Sequence, residues 1–184
     1  MSVVNERKKS TPFETLADYE RRSLAHVAGA PEQADTGVAW RGIGYRVGAH
    51  YLLSSIAEVS EILSLPPLTP VPGTRSWLLG VGNVRGNLVP VIDLLGFIEG
   101  VPSDRTEESR MLVVRHHADG IGLLIDEVLG QRSFSDEQRS QAVGEEDQRY
   151  ARFVGEKINL GGVFWGVFSM ASLVRAADFQ QAAA

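Results

Sequence analysis

The feature that most limits what this chain can fold into is a repeated plan in its β-rich part. From Val38 onward the pattern alternates, with Ile43, Tyr45 and Val47 on one face, a Gly48-Ala49 turn, and a return over residues 51–53. Alternation of period two interrupted by a glycine turn is the mark of a β-hairpin. The plan recurs as residues 111–115, a turn at 118–120 and a return over 121–125. Glu127-Val128 follows this second hairpin as Glu58-Val59 follows the first. Val154-Gly155 with Gly161 matches Leu79-Gly80 with Gly86 at equal spacing. A diverged internal duplication calls for two similar modules. Each holds too few strands for an open sheet buried on both faces, so each is expected to close into a small barrel, the two lying side by side along an apolar seam. The expected fold is mainly β.

Ahead of this lies a helical signal. Thr11, Pro12 and Glu14 read as N-cap, first and third helical residues, a capping box with proline at its favoured place. Gly29 and Pro31 stop the helix. Phe13, Leu16, Ala17, Leu24 and Val27 share one face, expected to pack on its own domain rather than on a partner. Residues 32–37 read as a linker, which makes residues 1–37 an N-terminal extension and 38–184 a domain of two intertwined barrels. Pro66, Pro67, Pro70 and Pro72 impose an extended crossing segment that ends at Gly73. A hairpin over 78–84 and 88–94 follows, with Arg85, Gly86 and Asn87 at its tip. Pro90 in its return strand calls for an edge or a bulge there. The run 135–148 is polar and acidic, the pattern of a solvated loop. The last strand, 163–168, leads into a C-terminal helix over 169–178 capped by Ser169, and the tail 180–184 should fray.

Charge and composition narrow the function. Eighteen Lys and Arg stand against 23 Asp and Glu, for a net charge of -5, with the arginines scattered. Nucleic-acid binding, which rests on neutralising phosphates, is disfavoured. The sequence has no Cys, so disulfides and thiolate chemistry are excluded. Neither an export signal nor ~20 consecutive apolar residues occurs, so a cytoplasmic protein without membrane insertion is expected.

Catalytic chemistry finds no constellation. His116 and His117 are neighbours that point to opposite faces of a strand and cannot share one metal, while His26 and His50 lie in other elements. Asp126 and Glu127 also diverge if they lie on a strand, and read as a solvated strand end. The spacing of Gly80, Gly82 and Gly86 misses the dinucleotide fingerprint, and a hairpin follows where a helix is needed. No enzyme, metal or cofactor is expected.

Two segments carry a resemblance. Residues 71–94 join a Pro-Gly turn, a short apolar segment, the tip G-V-G-N-V-R-G and the return V-P-V-I-D-L in one register, and residues 121–130 read I-G-L-L-I-D-E-V-L-G. Both are similar to the signature segments of the CheW family, and the likeness covers roughly residues 40–174. The resemblance implies two β-barrels and a non-catalytic adaptor. Its implied partners are the regulatory domain of a CheA-type histidine kinase and the cytoplasmic tip of a methyl-accepting chemoreceptor, which lies in the groove between the barrels. It further implies recruitment to receptor clusters and assembly into higher-order signalling arrays. By position, Arg85, Val59 and Gly80 are implied on the receptor side and Glu61 on the kinase side. Gly82 departs from the family, where a larger residue is usual, and this is expected to loosen the hairpin or reshape the groove. The opening helix and W-R-G-I-G-Y-R-V-G at 40–48 resemble the family's type IV pilus, twitching-motility branch. A detached CheW-like regulatory domain that binds and inhibits the kinase without recruiting receptor is the alternative, and a small-barrel ligand-binding protein or enzyme stands behind it.

Overall fold

A computed structural model describes residues 11–25, 40–115, 120–135, 138–141 and 148–182. The chain divides into two units, Met1–Thr36 and Gly37–Ala184. In the first, helix α1 spans Pro12–Ala25. Its capping box is reciprocal: Thr11 N donates to Glu14 Oε2 at 2.8 Å, and Glu14 N donates to Thr11 Oγ1 at 3.3 Å. Phe13 and Leu16 are 80% and 67% exposed, so the apolar face marked for docking is uncovered within this unit. The expected stop at Gly29 and Pro31 and the linker lie outside the described residues.

The second unit begins with strands β1 (Trp40–Val47), β2 (His50–Ser55), β3 (Val59–Leu63), β4 (Leu68–Thr69), β5 (Leu78–Val84) and β6 (Asn87–Asp93), then helix α2 (Leu94–Glu99). It continues with β7 (Arg110–Val114), β8 (Ile121–Ile125), β9 (Glu127–Phe134), β10 (Arg139–Gln141), α3 (Gln148–Ala151), β11 (Val154–Leu160), β12 (Val163–Phe168), α4 (Met170–Arg175) and α5 (Ala177–Gln180). Two six-stranded sheets result, ordered β10-β11-β12-β2-β1-β9 and β4-β5-β6-β8-β7-β3. The orders are equivalent strand for strand. Each half of the repeat lends one hairpin to the other half's sheet, through the parallel pairs β2·β12 and β6·β8.

Each sheet curls about its own core. Phe134 of β9 packs in one cluster with Ile158 of β11, although these strands stand near opposite ends of the first sheet. Leu63 of β3 packs against the cluster of Val84, Val89, Val91, Met111 and Val113 in the second. A third cluster joins the modules, with Tyr45, Leu52, Leu112, Leu123, Phe153 and Phe168 among its members. Strand β8 is buried at all five positions because Ile121, Leu123 and Ile125 face this seam while Gly122 and Leu124 face inward. The expected pair of barrel modules on an apolar seam is therefore present.

Details differ from the sequence expectation. The repeat is displaced by one residue: Leu78 corresponds to Val154, Asp93 to Ser169 and Gly86 to Gly162, so Gly161 is the partner of Arg85. Matching glycine to glycine misplaced it; what the copies share is the bulged strand, the tip and the cap. Helix α2 begins at Leu94, where the sequence pattern predicts the end of a strand. Buried Asp93 caps it, accepting from Gly96 N at 3.0 Å and from Ser103 N at 2.8 Å. The C-terminal helix starts behind Ser169 as expected but breaks at Ala176, whose ψ of 128° is extended. Within the polar run, β10 pairs with β11, because ladder bonds need only backbone. Pro90 lies where β6 pairs with β5 alone, since the register with β8 starts at Val91.

Because the two cores share one seam, Leu123→Ala should cost about 2–5 kcal/mol, and urea unfolding followed by circular dichroism should remain a single transition for both sheets. A smaller electrostatic effect sits at the C-terminus, where Arg152 Nη2 donates to Asp178 Oδ1 at 2.5 Å. That bond holds the Asp178 carboxyl below its ordinary range. A lowered carboxyl pKa stabilises the fold above about pH 4 and ceases to do so as pH falls through the lowered value. Half-exposed and screened, it is worth about 0.2–1 kcal/mol, so Asp178→Asn should be less stable than wild type at neutral pH and indistinguishable in strong acid.

Candidate functional site at a hairpin tip

Strands β5 and β6 pair down to Val84 and Asn87, which leaves Arg85 and Gly86 as a two-residue turn. Their φ values are 51° and 93°. Two successive positive φ angles define a type I′ turn, whose twist suits a hairpin and which prefers Asn-Gly or Gly-Gly. Asn83 braces it, its Oδ1 accepting from Gly86 N at 2.8 Å. Arg85 is the one non-glycine with positive φ among the described residues, a conformation that costs an L-residue about 1–2 kcal/mol.

The other half of the repeat supplies the control. Its tip, Gly161-Gly162, has φ values of 61° and 87°, and Asn159 Oδ1 accepts from Gly162 N at 2.9 Å. The same turn is thus built without strain by glycine at one tip and with strain by arginine at the other. The turn itself does not explain Arg85.

The Arg85 side chain is 76% exposed, and its Nη2 lies 3.2 Å from Glu61 Oε2 on β3. This contact closes the curl of the second sheet, since β3 and β5 stand near opposite ends of it. The pair lacks the alignment of a hydrogen bond, and the buried Glu61 Oε2 accepts none. The guanidinium end is exposed and open to a second carboxylate from outside, while the buried Glu61 Oε2 loses its charge partner if the arginine is drawn away. Apolar surface flanks the charge: Leu88 on the same hairpin is 68% exposed, and Ile62 beside Glu61 is 38% exposed.

Of the four residues singled out from sequence, the structure brings Arg85 and Glu61 together. Val59 is 9% exposed and belongs to the seam, separated from Glu61 by a bulge. Gly80 is buried with a φ of 139°, and a Cβ there would lie 2.4 Å from Thr69 O on β4. Neither presents a side chain to solvent: Val59 is part of the seam between the modules, and Gly80 lies against β4.

Asp126 and Glu127 are not a solvated strand end. Asp126 lies at a bend between β8 and β9, so the two carboxylates converge: Arg46 Nε donates to Glu127 Oε1 at 2.6 Å and Nη1 to Asp126 Oδ2 at 2.9 Å. Gly48 N donates to the same Asp126 oxygen at 2.8 Å. Burial raises the Asp126 pKa against these opposing contacts, and the bond to Glu127 raises that of Arg46. The cluster clamps the β1–β2 turn to the second hairpin. Neighbouring charges in sequence gave no sign that Arg46 would join them.

Elsewhere, an open pocket of about 300 Å³ is lined by His50, Leu52, Tyr150, Val154, Phe164 and Gly166 among others. The His50 and Tyr150 rings lie 3.9 Å apart, and Tyr150 Oη donates to Glu99 Oε1 at 3.0 Å. None of Arg85, Glu61, Val59 and Gly80 lines it. Among the described residues no group of His, Asp and Glu could hold a metal ion, and no helix is long and apolar enough to cross a membrane. His26, His116 and His117 lie outside the described residues.

Comparison with known proteins agrees with the fold. The CheW-like domain profile matches residues 41–178. Protein PilI of Pseudomonas aeruginosa is 40% identical over 124 residues, which are 67% of this chain and 70% of that protein. A probable chemotaxis protein CheW of Rhizobium etli is 33% identical over 95 residues, covering 52% of this chain and 61% of that one. The crystal structure of the scaffolding protein TtCheW from Thermoanaerobacter tengcongensis superposes with a TM-score of 0.61 at 20% identity, over 71% of this chain and 89% of its own, and so shares the fold. On sequence profile, relatives and architecture together, this chain belongs to the CheW-like domain family.

Proposed function

We propose that the chain is a non-catalytic adaptor of chemotaxis-type signalling that couples a methyl-accepting chemoreceptor to a CheA-type histidine kinase. The observation that carries this reading is Arg85, an exposed arginine held in a strained backbone conformation that the twin tip meets with glycine. Strain retained at one of two equivalent positions points to a role outside folding. A guanidinium flanked by apolar surface suits a helical hairpin tip that offers a carboxylate beside aliphatic side chains.

In this reading residues 38–184 form the coupling domain and residues 1–37 an extension. Arg85 meets the receptor, Glu61 faces the kinase, and Val59 and Gly80 set the shape of the receptor groove from beneath. The ion pair between Arg85 and Glu61 makes the two partner sites one electrostatic unit. A receptor carboxylate that draws Arg85 away changes the charge environment of Glu61, which is a coupling energy between sites and requires no chemistry. The likeness to PilI supports a kinase and receptor of a type IV pilus system. The protein then works in the cytoplasm, recruited to membrane-bound receptor clusters, and its two similar modules allow alternating contacts to extend into arrays.

Arg85→Glu should weaken binding of a chemoreceptor cytoplasmic fragment by on the order of 2 kcal/mol, roughly thirtyfold; unchanged affinity in a folded variant removes the assignment. Glu61→Gln should leave receptor affinity within about threefold of wild type and reduce affinity for the kinase regulatory domain, both read by titration calorimetry. Kinase binding without any receptor binding by the wild-type chain would favour a detached inhibitory domain instead.

A further inference from the structure

We infer that Gly82 is a positioning residue for the Arg85 tip, acting through Pro66, which it seats against β5. The inference rests on the proposed role of Arg85 and adds a residue that sets where that arginine stands. A Cβ at position 82 would lie 2.8 Å from Pro66 Cγ, 3.1 Å from Leu68 Cδ2 and 3.7 Å from Val91 Cγ2. The first distance is too short for any real side chain. The ring of Pro66 occupies the space that a side chain at position 82 would fill.

That ring can change its pucker but cannot rotate aside as a flexible side chain does. A pyrrolidine is bonded to its own backbone at both ends, and Pro66 precedes Pro67, which restricts Pro66 itself to extended conformations. On either side, Leu65 and Leu68 are packed on the core of the second sheet. Leu68 is the register partner of Gly82, and Thr69 that of Val81. Gly80 extends the same flat track, since a Cβ there would meet Thr69 O. The stiff segment from Pro66 to Thr69 thus lies flush on β5 because side chains are missing at two alternate positions beneath it.

The placement of this seat gives it a function. Pro66 follows shortly after β3, which carries Glu61, and Gly82 shortly precedes the tip, which carries Arg85. The contact is a cross-link between the two arms that hold the ion pair, close to the pair on both. Glu61 is fixed by the pairing of β3 with β7, where Val113 is its register partner. A side chain at 82 must therefore displace either the proline segment or the tip, and the tip, a two-residue turn exposed to solvent, is the softer of the two. Gly82 sets how near Arg85 stands to Glu61 and how much of the guanidinium faces a partner.

The test uses the full chain with Gly82→Val, Gly82→Ala, Pro66→Ala and the double variants, and a soluble cytoplasmic fragment of a methyl-accepting chemoreceptor as probe. In amide NMR spectra without probe, Gly82→Val should shift the Gly86 resonance, whose N–H is bonded to Asn83, and Pro66→Ala in the same chain should return it. By calorimetry, Gly82→Val should weaken probe binding at least about tenfold and the double variant should recover to within about threefold of wild type. A residue needed for folding alone would lower the melting temperature and leave the affinity of the folded chain unchanged. Wild-type affinity with an unmoved Gly86 resonance in folded Gly82→Val overturns the inference, and so does failure of Pro66→Ala to restore either readout. If Gly82→Val does not fold, Gly82→Ala is read in its place by the same criteria. Should Arg85→Glu leave probe binding intact, the role of Arg85 falls, and the Gly86 resonance alone decides whether Gly82 positions the tip.

Discussion

The seam between the two modules is the contact on which the rest of the structure depends. Neither half of the repeat supplies a whole sheet. Strands β1 and β2 close the module built mainly from the second half, and β7 and β8 close the one built mainly from the first. The exchanged hairpins are buried on both faces, so their apolar side chains serve two cores at once. Tyr45 shows how the seam treats its polar atoms: its hydroxyl lies 2.8 Å from Ser54 Oγ, which donates to Phe168 O at 3.0 Å, and burial drives the phenol pKa upward. Such a chain gains most of its stability from contacts remote in sequence, which makes the domain one cooperative body.

On that frame the two hairpin tips project with a shared geometry. Both are braced by an asparagine side chain, and both twins of the exposed apolar position, Leu88 and Phe164, face solvent. They differ in the residue that must adopt positive φ. Where glycine relaxes the turn at one tip, arginine strains it at the other and sets a charge beside Glu61. The same turn framework thus carries a strained arginine at one tip and glycine at the other.

Much of this was legible because it depends on neighbours in the chain. The capping box at Thr11, the cap at Ser169, the β1–β2 and β5–β6 hairpins and the last strand follow from spacing, turn residues and period-two alternation. The resemblance to CheW signatures identified the family on the same local grounds. What escaped has physical reasons. Helix α2 hides behind an apolar strand, and its one signal, Asp93, falls inside the V-P-V-I-D-L run that reads as strand. Strand β10 is polar because an edge strand needs backbone partners and little apolar surface. The repeat slipped by one residue because glycine serves turns, bulges and close approaches alike, so identity of glycine did not mean equivalence of place.

By itself, the sequence determined that the chain would be mainly β, duplicated, built of hairpins with glycine turns and devoid of thiol chemistry, since local periodicity and composition carry those facts. Only the tertiary structure decided which hairpin crosses to which sheet, that Arg46 would gather Asp126 and Glu127, that Arg85 would meet Glu61, and that Pro66 would fill the space above Gly82. These meetings join residues far apart along the chain, and a pattern of period two says which face a side chain points to but not what stands opposite it.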